Sequence, residues 1–165
     1  MMSPIGNTPQ TEGDLLDLLI ELDESISTNR IDEEYAAPSA LCPGGPYTWQ
    51  EEFHTAGADH PERAIIAGNR VGKTRTAAAE VAIHLTGKYP DWWKGRRFSE
   101  PTSWIVAGPT NELTRDICQY ELFGGMMEGE RRPTGKGWIP VDCIGAVGFR
   151  QCGVPHVLDT VQVRH

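Results

Sequence analysis

Residues 67–74 constrain the fold of this chain more than any other part of its sequence. They read Ala-Gly-Asn-Arg-Val-Gly-Lys-Thr and fit the pattern A/G-x-x-x-x-G-K-S/T, with alanine at the first position, where glycine is commoner. The glycines let the backbone curl until consecutive N–H groups point at one anion. The helix that follows adds its positive N-terminal end. The pattern therefore predicts a phosphate-binding loop between a strand and a helix.

The loop chemistry predicts a bound nucleotide together with Mg²⁺. Lys73 is expected to reach the β- and γ-phosphates, and Thr74 to ligate Mg²⁺. Arg70 is either a solvated or ion-paired arginine or a charge near the γ-phosphate, supplied in cis like an arginine finger. The amide of Gln50, 17 residues before the loop, can match the edge of adenine. The predicted cofactor-binding residues are Gln50, Ala67, Gly68, Asn69, Arg70, Val71, Gly72, Lys73 and Thr74.

The hydrophobic pattern around the loop alternates between strands and helices. The apolar runs at 64–67 and 104–107 are typical of buried parallel strands. Residues 73–86 predict an alanine-rich helix that ends at Gly87. Further predictions are a short helix over 47–54, a helix over 111–123 and a third strand over 157–164. This order favours an α/β domain with a parallel sheet.

The net negative charge of the chain comes from its first 35 residues. Residues 1–35 hold nine acids and one base, which account for the whole net charge of −8 of this 165-residue protein. Within this predicted arm, residues 14–26 have the apolar spacing of an amphipathic helix, which would dock on its own domain or on a partner protein. Residues 36–46 are interpreted as a linker and 47–165 as the main domain. The apolar runs are too short to span a membrane.

The sequence offers few acidic residues that could support ATP hydrolysis. Hydrolysis by phosphate-loop ATPases needs an acid at the end of an apolar strand, the Walker B acid, to hold Mg²⁺. Asp159 is the only faint candidate, because just two apolar residues precede it and a strand-like pattern continues past it. The sequence also shows no carboxylate cluster suited to a two-metal nuclease.

From Tyr47 onward the sequence resembles the N-terminal part of the large terminase subunit of tailed phages, closest to the headful-packaging type. The resemblance implies an additional-strand, RecA-like ATPase core that binds ATP and Mg²⁺ through Lys73 and Thr74. It implies double-stranded DNA, a small terminase subunit, the portal ring and other large-subunit copies as partners, in the cytoplasm of the infected host. The matching residues are Gln50, Phe53, 61–63, 67–74, 79–82, 84–87, Tyr89, Pro90, 93–98, 110–112, Ile139 and Pro140.

The length departs from that family, whose members are several hundred residues long. We therefore expect an N-terminal fragment without the Walker B strand and the nuclease domain. Such a fragment is expected to bind ATP weakly or not at all and to hydrolyse none. Two alternatives stay open: a small phosphate-loop kinase, and a non-catalytic fragment that binds terminase or portal partners.

Overall fold

The computed structural model describes residues 30–38, 40 and 45–165. The predicted helix over 14–26 lies outside these residues, and the predicted linker is described only in part. The helices are α1 (Arg30–Glu34), α2 (Thr48–Ala56), α3 (Lys73–Thr86), α4 (Asn111–Leu113) and α5 (Tyr120–Phe123). A π-helical segment (Thr114–Gln119) joins α4 to α5, and a 3-10 turn (Val141–Cys143) leads into strands β1 (Ile144–Phe149) and β2 (Leu158–Val163).

Helix α3 lies at the centre of the described core. Its run of alanines favours helix formation and allows close packing. Ala79, Ala82 and Ile83 are completely buried, and they belong to one cluster with Trp138 and Ile144. Gly87 ends the helix in a left-handed conformation (φ 69°) and donates its N–H to the Ile83 carbonyl at 3.0 Å. The prediction of a helix over 73–86 with a glycine cap is confirmed.

The described residues form one two-stranded sheet, in which β1 and β2 are antiparallel. Ile144 pairs with Val163 at one end and Phe149 with Leu158 at the other, with irregular register between them. The third predicted strand is thereby confirmed as β2. Its partner β1 was not predicted, because Gly145 and Gly148 give that segment the composition of a loop.

The predicted parallel sheet is not found in the part of the chain that the structure describes. Residues 64–67 and 104–107 are not in strands, and Ile66 and Ile105 are 95% and 96% exposed. A buried parallel strand needs a hydrogen-bonded neighbour and helices over both of its faces. Neither run has a strand partner here, so the prediction of two buried strands is wrong for this structure. The architecture is mixed α/β.

The predicted arm over residues 1–35 contributes to the same core. Ile31 in α1 and Tyr35 after it are 1% and 0% exposed. The indole of Trp92 donates a hydrogen bond to the Tyr35 carbonyl at 2.5 Å. The end of the arm is therefore packed against the main domain.

No helix among the described residues is both long enough and apolar enough to cross a bilayer.

Candidate phosphate-binding site

The loop over residues 67–74 turns through two left-handed residues. Arg70 has φ 61° and Gly72 has φ 87°. Left-handed residues within a turn orient successive N–H groups toward one side, which makes an anion-binding concavity. Residues 67–71 and Thr74 are exposed, and Gly72 and Lys73 are half-buried. The structure therefore brings the predicted loop residues together at an accessible turn.

The start of α3 has the electrostatic character that a phosphate requires. Gly72, the N-cap, has no side chain to accept from the first-turn N–H groups, and the first turn contains no acidic residue. The Lys73 ammonium donates to the carbonyl oxygens of Ala67 and Gly68, at 3.0 and 2.5 Å. This side chain thus folds back over the loop, where its charge adds to the positive end of a 14-residue helix.

Gln50 lies directly against the end of the loop. A Cβ atom added to Gly72 would lie 3.3 Å from the Gln50 Nε2 atom. The Gln50 side-chain oxygen accepts from the Tyr47 N–H at 2.8 Å, and its nitrogen donates to the Thr76 hydroxyl at 2.5 Å. The structure places Gln50 at the site, with both ends of its amide bonded within the chain. Its predicted contact with adenine stays a prediction.

A buried charged cluster between α2 and α3 was not predicted from the sequence. The Glu80 carboxylate lies 2.9 Å from His54 Nδ1, and it also accepts from both terminal nitrogens of Arg63. His54, Glu80 and His84 are at most 5% exposed. The sequence does contain one indication of this cluster: Thr76, Glu80 and His84 recur every four residues and so share one face of α3. We call the contacts of Gln50 with Thr76 and of His54 with Glu80 the α2–α3 interface.

Burial and hydrogen bonding shift the pKa values in this cluster. Burial lowers the pKa of His54, and its hydrogen bond to Glu80 offsets this only in part. Burial alone would raise the pKa of Glu80, but the neighbouring side chains of His54, His84 and Arg63 outweigh it and hold that pKa well below its usual range. The cluster therefore pairs an ionised carboxylate with a neutral imidazole, which joins α2 firmly to the helix that follows the loop.

The one faint candidate for a Walker B acid is engaged elsewhere. Asp159 is an exposed residue of β2, and its carboxylate lies 3.1 Å from the Arg150 guanidinium. Among the residues that the structure describes, no three His, Cys, Asp or Glu side chains are grouped so that they could hold a metal ion. Thr74, at the exposed start of α3, is the predicted Mg²⁺ ligand, and in this chemistry the nucleotide itself supplies further oxygens.

The residues present fit a bound magnesium nucleotide. The loop combines two left-handed residues, a helix start without a side-chain cap and a lysine that donates to the loop carbonyls. Each of these features favours a bound polyphosphate.

Comparison with known proteins identifies a relative. The chain is 37% identical over 147 residues to the protein named "Terminase, large subunit" of Salmonella phage P22. The match covers 81% of this chain and 29% of that relative, so the chain spans less than a third of the length of the protein it matches. No protein-family model matches the chain. No solved structure matches it either. The identity confirms the resemblance found in the sequence, and it supports the assignment of the matched residues to part of a large terminase subunit.

Proposed function

We propose that this chain carries the ATP-binding loop of a phage DNA-packaging motor. The observation that carries the proposal is the position of Lys73, whose ammonium is held over the carbonyls of a left-handed loop at the start of α3. Similarity to a phage large terminase subunit supports the DNA-packaging role.

The loop residues have separate roles in this proposal. The N–H groups of residues 68–73 bind phosphate oxygens, and the Lys73 ammonium moves from the loop carbonyls to the β- and γ-phosphates. The Thr74 hydroxyl ligates Mg²⁺, and exposed Arg70 supplies a second positive charge near the γ-phosphate. A magnesium ion held by Thr74 would supply positive charge that offsets the negative charge of the phosphates.

The fold of the ATPase core is also part of the proposal. The proposed fold is a RecA-like ATPase core with a phosphate-binding loop. The support is the loop sequence at 67–74, the helix that follows it and the similarity to a large terminase subunit. By the same similarity, the proposed partners are phage double-stranded DNA, the small terminase subunit, the portal ring and other large-subunit copies, in the host cytoplasm.

Equilibrium titration with ATP tests the nucleotide site. We expect weak binding of Mg·ATP by the wild-type protein, measured by calorimetry up to millimolar nucleotide. Lys73→Ala should abolish it, because the ammonium is the main side-chain charge on the phosphates. Thr74→Ala should weaken binding in the presence of Mg²⁺ and leave binding of metal-free ATP unchanged.

A matched control distinguishes a specific effect of Lys73 from the effect of a changed net charge on ATP affinity. Lys94→Ala removes one exposed lysine outside the loop, so it changes the net charge equally and should leave the affinity unchanged. Equal affinities of the wild type and Lys73→Ala would contradict the proposed site.

A further inference from the structure

Gln50 is far more buried than a side chain that reads a nucleotide base. It is the third residue of α2, and it is only 3% exposed. Its oxygen accepts from the Tyr47 N–H, which lies at the open start of α2. Its nitrogen donates to Thr76 in α3. Recognition of adenine by an amide needs its carbonyl and its NH₂ group to face the base, and here both groups already have partners in the protein.

The bond from Gln50 continues to the phosphate loop through Thr76. Thr76 is completely buried, so its hydroxyl cannot contact any ligand. That hydroxyl accepts from Gln50 and donates to the Gly72 carbonyl at 2.9 Å. One hydroxyl can do both, because it has one hydrogen and two lone pairs. An unbroken series of hydrogen bonds therefore joins the start of α2 to the peptide at which the loop becomes α3.

The series ends at Gly72, a constrained position of the loop. Gly72 has φ 87°, and the Gln50 amide lies against the face where a Cβ atom would be. The orientation of the Gly72 peptide determines where the next N–H groups point, and those groups face the phosphates in the proposed site. A shift of the Gln50 side chain would therefore alter the contacts of the loop N–H groups with the phosphates of any nucleotide, whatever its base.

We propose that Gln50 is a positioning residue of the phosphate loop, which acts through Thr76 on Gly72 and not through the base. This inference rests on the proposed function, since it concerns the same nucleotide site. It predicts that losses of affinity at Gln50 follow the polyphosphate and are independent of the base.

The test compares three ligands: the Mg²⁺ complexes of ATP, GTP and tripolyphosphate. Gln50→Leu should lower the affinity for all three by the same factor, about fivefold, as expected for the loss of one or two buried hydrogen bonds. Thr76→Val should have the same effect, and the double variant should lose no more than either single variant. Thr76→Ser keeps the hydroxyl and should restore binding to near the wild-type affinity.

A second measurement needs no ligand. Hydrogen exchange of the amides of residues 68–74 should be faster in Gln50→Leu and Thr76→Val than in the wild type and Thr76→Ser. Melting curves of each variant show that the fold is retained.

The outcomes separate the two hypotheses. Loss of ATP affinity alone, with GTP and tripolyphosphate unchanged, would assign Gln50 to adenine and overturn the positioning role. Unchanged binding of all three ligands, or unchanged exchange at the loop, would overturn it as well. A wild-type protein that binds none of the three would overturn the proposed function, and the positioning role with it.

Discussion

His54 Nδ1 and Glu80 Oε2 lie 2.9 Å apart in the buried contact between α2 and α3. The same carboxylate accepts from Arg63, whose guanidinium also donates to the Phe53 carbonyl at 2.6 Å. Glu80 therefore fixes α2, the segment after it and α3 relative to one another. Because α3 begins at the loop over residues 67–74, this cluster also determines where that loop lies against Gln50.

Loss of the Glu80 charge is the first prediction. Glu80→Gln keeps the shape but leaves the Arg63 cation without its counterion, and breaking a buried ion pair in this way costs about 3 kcal/mol of unfolding free energy. Chemical denaturation measures the difference. Glu52→Gln, an exposed residue of α2, is the matched control and should change the stability by less than about 0.5 kcal/mol. Equal stability of the two variants would show that the buried cluster does not hold the helices together.

The same cluster predicts a dependence of stability on pH. The pKa of His54 is lowered in the folded state, mainly by burial, so below a pH of about 6.5 the unfolded chain binds the proton more readily. The free energy of unfolding should therefore fall as the pH drops through this range. The pKa of Glu80 is also lowered, so its contribution is present above about pH 4.3 and is lost below it.

Histidine variants test whether His54 causes the loss of stability between neutral pH and pH 5. His54→Asn should flatten the loss of stability between neutral pH and pH values near 5, as followed by denaturation at a series of pH values. His60 is exposed, so His60→Asn should keep the wild-type slope. A flattened slope in His60→Asn would place the titrating group elsewhere.

Two glycines of the loop over residues 67–74 should tolerate alanine differently. Gly72 has φ 87°, and a Cβ atom there would lie 3.3 Å from Gln50. Gly72→Ala should thus cost about 1 to 2 kcal/mol of stability, the usual cost of the left-handed conformation for a residue with a side chain. Gly68 has an ordinary φ and nothing within 4 Å of an added Cβ atom. Gly68→Ala should leave the melting temperature close to that of the wild type, and a similar loss in both variants would contradict the described loop.

A further prediction concerns the exposed apolar runs at 64–67 and 104–107. Ile66 and Ile105 are almost fully exposed, whereas Ile83 in α3 is buried. Ile66→Ala and Ile105→Ala should change the unfolding free energy by less than about 0.5 kcal/mol, and Ile83→Ala should lower it by about 2 to 5 kcal/mol. Denaturation of the three variants tests this. A cost at Ile66 as large as that at Ile83 would mean that the run is a buried strand after all.

Local sequence patterns predicted the parts of this structure that local physics determines. Helix α3 follows from an alanine-rich sequence between Gly72 and Gly87, and both ends were found. The π-helical segment within 111–123 was not predicted, because its apolar spacing resembles that of an ordinary helix. Strand β1 was missed because its glycines are typical of loops. In the structure, the Thr160 hydroxyl would lie 2.5 Å from a Cβ atom on Gly148, so that glycine permits the close approach of β2.

The parts of the structure that could not be predicted depend on contacts between residues distant in the sequence. Gln50 and Thr76, like His54 and Glu80, are 26 residues apart, and the sequence does not show which polar side chains will meet. The runs at 64–67 and 104–107 have the composition of buried strands, but a strand also needs neighbours to pair with. The loop motif can be recognised in the sequence because its glycines, lysine and threonine lie within eight consecutive residues, and its phosphate-binding role stays a prediction.

Nuclear magnetic resonance of the backbone amides tests the central claim, that residues 67–74 bind the phosphates of ATP through Lys73. Addition of Mg·ATP to the labelled protein should shift the amide resonances of residues 68–74, while adenosine, which has no phosphates, should leave them in place. In Lys73→Ala the shifts should disappear. Unmoved loop amides in the wild type, or equal shifts with adenosine or in Lys73→Ala, would contradict the account.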